Sequence, residues 1–431
     1  MRAGMINKSV IPILIIGMMF FVFGFATWIN AMLIPYFKIA CELSNLQSYF
    51  VTFAFYISYL AVSVPASFLL KKIGFKSGMM VGFWIMAAGA FVFIPAAETR
   101  TYGLFLCGLF LIGIGLAVLQ TAANPYVTIL GAKERAAQRI SIMGICNKTA
   151  GIIAPLLLAA AILRPGDHDL FKSIQDMDAG EKKLVLDALI RRVIVPYACV
   201  GRLLTILGFI VRLSPLPEIE NFSGENDQHG SAGKNSIFKY PHLILGGCAI
   251  FVHVGAQILA VDSIIGYAQG MGVSIIEARV FPSYTLFATI CGYLIGITLI
   301  PWGITQINAL RVCTVLGIIL SMLVLTTRGN TVLFGHHVDI SIWFLVMLGF
   351  ANSMIWAGIW PLALDKLGSH LKLGASVLIM GLSGNAIVPL FYGYLADRYD
   401  LRTGYWVLLP CYTFLVFYAF YGYRIKKWTF S

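Results

Sequence analysis

Two stretches far apart in the chain read as copies of one another, and that likeness decides the fold. NPYVTILG, residues 124–131, is followed by ISIMG at 140–144 and APLL at 154–157. WPLALDKLG, residues 360–368, is followed by VLIMG at 377–381 and VPLF at 388–391. The proline-to-IMG separation agrees within one residue. Each stretch lies in an apolar run long enough to cross a bilayer, which takes about 20 residues. Working outward, FVFGFATWINAMLIPY (21–36) can be laid on FVHVGAQILAVDSIIGY (251–267). The chain therefore reads as a duplicated membrane-spanning unit.

The composition requires a membrane. Of the 431 residues, 59% are hydrophobic and 12% are charged, against roughly 25% charged in soluble domains. Twelve apolar runs are counted: 11–36, 46–70, 78–96, 102–130, 138–163, 193–213, 241–268, 277–300, 304–326, 338–365, 373–396 and 403–424. The first is too long for a cleavable leader and is read as a retained span. Residues 164–192 alternate acid, base and apolar positions and predict one short amphipathic helix on the outer surface. Residues 214–240 are polar and rich in Gly and Ser, which predicts a linker. The expected organisation is a half at 1–213, a cytoplasmic linker at 214–240 and a second half at 241–431.

The formal charge of +12 is not a nucleic-acid signal, because of where it sits. Lys71, Lys72 and Lys76, then Lys133, Arg135 and Arg139, then Lys366 and Lys372, then Arg424, Lys426 and Lys427 occupy alternate ends of the spans. That is the positive-inside pattern, and it puts both termini in the cytoplasm. The eight cysteines are scattered, with no CxxC and no metal-ligand spacing. Nothing in the chain reads as an acid pair, a triad or a metal cluster, so an enzyme is disfavoured.

Polar residues inside spans need a partner or a water-filled cavity, which makes them the candidates for function. They are Thr27, Trp28 and Asn30 in span 1; Gln120, Thr121 and Asn124 in span 4; Asn147 and Lys148 in span 5; His253, Gln257 and Asp262 in span 7; Asn352, Ser353, Trp356 and Trp360 in span 10; Ser383 and Asn385 in span 11. Amides bond sugar hydroxyls in both directions, and indoles cover the apolar face of a pyranose. The competing readings are structural: Asn124 and Asn385 as interhelical ties, and His253 as a packing histidine. Sugar-binding candidates are Trp28, Asn30, Gln120, Asn124, Asn147, Lys148, Gln257, Asn352 and Trp356.

Two six-span halves with a midplane site between them are the plan of the major facilitator transporters, an all-α fold of twelve pseudo-symmetric helices. LQTAANPYVTILG (119–131) and FVHVGAQ (251–257) resemble the fucose–proton symporter family of that superfamily. ASFLLKKIGFKSGMMVG (66–82), FIPAAETRTYGLFLCGLFLIGIG (93–115) and RLSPLPEIE (212–220) carry the likeness along most of the chain. IWPLALDKLG (359–368) with LIMGLSGNAIVPLFYGYLAD (378–397) most resembles the branch carrying glucose, galactose or N-acetylglucosamine. The resemblance implies a sugar-site role for Asn147. It also exposes two departures. The fucose carriers have an Asn-Asp pair where this chain has Asn30-Ala31, and a glutamate where it has Gln120. Both carboxylates that the resemblance would assign to coupling are missing. The glutamine resembles the glucose/galactose members, which implies Na⁺.

Asp262 lies within one residue of the counterpart of Ala31 in the alignment of spans 1 and 7. It is therefore the expected coupling carboxylate, moved to the other half, with Na⁺ favoured over H⁺. Rise per residue puts Lys148 roughly 13 Å from the cytoplasmic boundary, level with Gln120 at roughly 15 Å, and Asp262 roughly 30 Å away. A direct Lys148–Asp262 pair is not expected; Lys148 with Asp365 as a cytoplasmic gate is. Alternatives are Lys148 donating to sugar hydroxyls, or reaching cytoplasmic water. The expectation is a monomeric, cation-coupled carrier of a neutral hexose or N-acetylhexosamine in a bacterial inner membrane, with no cofactor beyond the ion. Its rivals are a uniporter, a carrier of an acidic sugar such as sialic acid, and a non-transporting sugar sensor.

Overall fold

In lipid every backbone polar group must be satisfied within the chain, so apolar runs of this length become helices. The computed structural model of the chain describes residues 2–129, 136–174, 176–214, 239–299, 305–365, 367 and 371–427. Span 1 is Arg2–Trp28 continued by Asn30–Ala40, span 2 Phe50–Ile73, span 3 Phe75–Glu98, span 4 Tyr102–Ile129, span 5 Ala136–Ile162 and span 6 Ile194–Leu213. Span 7 is Pro241–Asp262 continued by Ile264–Gly270, span 8 Phe281–Leu299 and span 9 Gln306–Thr326. Span 10 joins Ile340–Asn352 to Ile355–Ala363, span 11 joins Leu371–Met380 to Gly384–Arg398, and span 12 is built on Leu408–Phe420.

The runs at 11–36, 241–268, 338–365 and 373–396 read as unbroken, but each is interrupted. Interruptions fall at Ile29, Ser263, Ser353–Met354 and Gly381–Ser383. Ser263 shows a cause. Its hydroxyl turns back on the Leu259 carbonyl at 2.6 Å and also bonds the Tyr405 hydroxyl at 2.7 Å, and such back-bonding bends a helix. The outer connection also differs from its reading. It holds two helices, Asp167–Ser173 and Ala179–Arg191, because Asp178 caps a new helix start through the Glu181 amide at 2.7 Å. Between spans 9 and 10 lies an unanticipated hairpin, Asn330–Leu333 paired with His336–Asp339. Its two-residue turn has positive φ at Phe334 and Gly335, the geometry that fits the strand twist. Except for Ser214, Lys239 and Tyr240, the expected linker lies outside the described residues.

The duplication is visible in how closely helices cross. A Cβ on Gly24 of span 1 would collide with the Asn147 carbonyl of span 5, and one on Gly384 of span 11 with the Phe251 carbonyl of span 7. These are equivalent pairs in the two sets of six. Without a hydrophobic drive between helices in lipid, such backbone contact at small residues is a main source of association.

Spans 1–6 meet spans 7–12 at the end of the bundle away from the termini. Tyr49 stacks edge-on against Tyr392, with ring centres 5.4 Å apart. The Asp397 carboxylate accepts from the amides of Asn45 and Leu46 at 2.8 Å each, capping the turn Asn45–Ser48 that leads into span 2. Ser283 of span 8 donates to the Ile152 carbonyl of span 5 at 2.7 Å. An amide oxygen in place of the carboxylate would keep only one of the two Asp397 bonds. Asp397→Asn should therefore loosen this end by about 1 kcal/mol, a roughly fivefold gain in the open fraction. Spin labels at Thr99 and Tyr399 should report a larger population of long distances in the variant. An unchanged distribution would mean that the cap does not hold the closure.

Candidate functional site

Rise per residue explains which side chains meet at mid-depth. Lys148 is twelve residues into span 5, and His253 is twelve residues into span 7. Both stand about 18 Å from the start of their helices. Lys148 is 6% exposed and His253 0%, and the two lie close enough to interact electrostatically across the two sets of spans.

The Lys148 ammonium sits 4.1 Å above the Trp28 ring. The same indole donates through Nε1 to Asn147 Oδ1 at 3.3 Å, and Asn147 Nδ2 donates to the Phe20 carbonyl at 3.4 Å. Gly151, one turn beyond Asn147, leaves room for the ring; a Cβ there would strike Trp28. On the opposite side Asn352 is fully buried and its Oδ1 accepts from the Tyr412 hydroxyl at 3.0 Å. His253 lies beside Asn352, yet neither of its ring nitrogens has a formed hydrogen bond, nor does Asn352 Nδ2. Below them Trp356 and Trp360 stack at 5.3 Å, both half-buried.

A ring face offsets about 2 kcal/mol of a desolvated cation's cost, whereas placing a lysine at mid-bilayer costs roughly 2.5–3.5 kcal/mol on insertion scales. Trp28 therefore leaves part of the penalty of Lys148 standing. Among the described residues no carboxylate pairs with it.

A second polar group lies nearer the closed end. Asp262 is fully buried at the end of Pro241–Asp262, and the Thr52 hydroxyl of span 2 donates to its Oδ2 at 3.2 Å. Its Oδ1 has no partner. Tyr56, one turn along span 2, lies within electrostatic reach of Asp262 and beside Thr27. Asn30 is fully buried with both amide atoms unsatisfied.

Of the residues singled out in the sequence, Trp28, Asn147, Lys148, His253 and Asn352 come together. Trp28 differs from its reading, because the ring seats Lys148 instead of offering an open face. Gln120 is in hydrogen-bonding reach of the Tyr59 hydroxyl in span 2. The expected Lys148–Asp365 gate is not formed in this conformation: Asp365 accepts from Lys426 at 3.0 Å, since Lys148 is drawn up to Trp28. Gln257 is half-buried on the His253 helix, one turn towards Asp262. Asn385 is buried with Oδ1 unpartnered, and the side chain of Asn124 lies outside the described residues. Thr52, Tyr56 and Tyr412 were missed. A lone hydroxyl in an apolar run is common, and only the fold shows what it faces.

The Major Facilitator Superfamily profile matches residues 16–381. The chain belongs to that superfamily. It is a twelve-helix membrane transporter, not an enzyme. It is 32% identical to a glucose/galactose transporter of Brucella abortus over 408 residues, covering 94% of this chain and 92% of that one. It is 28% identical to the L-fucose-proton symporter of Escherichia coli over 434 residues, covering 99% and 96%. Among solved structures, a superfamily transporter, FucP, crystallised in the outward conformation, matches with a TM-score of 0.70 at 25% identity, covering 96% of this chain and 98% of that one.

Proposed function

We propose that the protein is a sugar–proton symporter working by alternating access, in two halves, 1–213 and 241–431, joined by residues 214–240. Sugar is taken from the names of its relatives, which carry glucose, galactose or L-fucose. The central site of Trp28, Asn147, Lys148, His253 and Asn352 receives it, with Gln257 and Trp356 at its edges and Asn30, Gln120 and Asn124 as further candidates. Both termini face the cytoplasm of a bacterial inner membrane, by the positive-inside pattern, and the unit is a monomer. The structure is then the state closed to the outside.

The observation that carries the coupling is the Asp262–Thr52 contact across the closed end. A carboxylate buried with one hydroxyl donor and no cation is costly to keep charged. Closing this joint is therefore favoured when Asp262 holds a proton. The E. coli relative is named a proton symporter, which supports the same ion. Sodium, favoured from Gln120, is the second reading; the hydroxyl oxygens of Thr52 and Tyr56 near Asp262 suit a hard cation.

Uptake of labelled galactose, glucose and galacturonate into proteoliposomes of the full chain separates these readings. An imposed pH gradient should drive accumulation of at least one of the three, and a sodium gradient at constant pH should not. Accumulation driven by sodium alone would select the second reading. Equilibration without accumulation under either gradient would make the protein a uniporter.

A further inference from the structure

The free hydrogen-bonding groups of the central site are unbalanced. Each of its two asparagine oxygens already accepts one bond, Asn147 Oδ1 from the Trp28 N–H and Asn352 Oδ1 from the Tyr412 hydroxyl. What remains free is the Lys148 ammonium, which only covers the Trp28 ring, the Asn352 Nδ2 amide and the unpartnered ring of His253. An ammonium has three donors and no acceptor, an amide nitrogen two donors, and a neutral imidazole one of each. These groups come from spans 5, 7 and 10, so both sets of spans contribute. All three side chains are more than nine-tenths buried.

A neutral sugar is a poor complement to this set. Each of its hydroxyls brings a proton that needs an acceptor, and the free donors here outnumber the acceptor positions left, one lone pair on each asparagine oxygen and one nitrogen of His253. Buried donors facing donors are left unsatisfied, which is the costly outcome. A carboxylate brings two acceptor oxygens, about four lone-pair sites and no donor. It also supplies the negative charge that Lys148 otherwise lacks. We infer that the cargo is a sugar acid, a pyranose bearing a carboxylate, with that carboxylate held by Lys148, Asn352 and His253. This rests on the sugar-transport reading and sharpens its substrate class. The half-buried Trp356–Trp360 pair, one turn beyond Asn352, is left to face the ring of the sugar.

The test is equilibrium binding to the purified full-length protein at pH 7, followed by tryptophan fluorescence, with D-galacturonate, D-glucuronate and N-acetylneuraminate against D-galactose and D-glucose. At least one acid should bind about 10- to 100-fold more tightly than either neutral sugar, the range of a charge-assisted contact. Lys148→Met should remove that preference, and Lys148→Arg should retain most of it. Neutral sugars binding as tightly as all three acids in the wild type would overturn the inference and leave sugar transport standing. Binding of none of the five would take the sugar reading down with it. The wild-type comparison decides even where Lys148→Met does not fold.

Discussion

Replacing Asp262 by asparagine should abolish pH-driven accumulation while leaving exchange of labelled for unlabelled substrate across the membrane. Asparagine has nearly the same shape and keeps an oxygen for the Thr52 hydroxyl, which lies 3.2 Å away. It cannot gain or lose a proton. If one proton on Asp262 travels with each substrate, a gradient of one pH unit is worth about 1.36 kcal/mol, or about tenfold accumulation. The wild type should approach that ratio, and Asp262→Asn should stay near unity. The joint would then close whether or not a proton is present, so downhill movement and exchange persist. A variant that still accumulates tenfold would move coupling elsewhere, with His253 the next buried titratable group to examine. Loss of exchange together with accumulation would mean that Asp262 serves binding or closure as such.

The second large effect is expected from Gly24, which touches nothing that is transported. Its Cα is pressed against the backbone carbonyl of Asn147, so any side chain at 24 must separate span 1 from span 5. Backbone cannot move aside as a flexible side chain can. Overpacking of this kind typically costs about 1–3 kcal/mol. The loss also falls on function, because Trp28 is one turn further along span 1, and Asn147 and Lys148 sit on the displaced turn of span 5. Gly24→Val should lower the melting temperature and weaken substrate binding by more than tenfold. Gly144 of the same span 5 has open space at its Cβ position, and Gly144→Ala should change stability by no more than about 0.5 kcal/mol. Equal tolerance at the two positions, read by thermal unfolding in detergent and by binding, would show that the crossing is not tight in solution.

Much of this was legible in the chain. Apolar runs specify spans because lipid permits only internally bonded backbone, and twelve such runs with matching motifs at 124–157 and 360–391 gave the fold. The candidates Trp28, Asn147, Lys148 and Asn352 were legible for the same reason: a polar group in lipid needs an explanation. Depth was legible too, since rise per residue is fixed, and it set Lys148 apart from Asp262. Direction around the helix axis was not. Lys148 and Gln120 are level, yet the lysine covers Trp28 and the glutamine turns towards Tyr59. Packing fixes that rotation, and glycines such as Gly24 and Gly151 decide it through contacts with residues more than a hundred positions away.

The sequence by itself determined that this protein spans a membrane twelve times as a duplicated unit with a lysine and an aspartate, Lys148 and Asp262, inside spans at different depths. Composition and period are local properties, and the bilayer reads them locally. Only the tertiary structure decided that Asp262 meets Thr52, that Asp397 caps the turn before span 2, and that the amide oxygens of Asn147 and Asn352 each already accept a bond. Those facts belong to contacts between helices distant in the chain, and in one closed arrangement of the two sets of spans. Apolar pattern constrains which face of a helix is buried, but leaves open which polar atom it meets there.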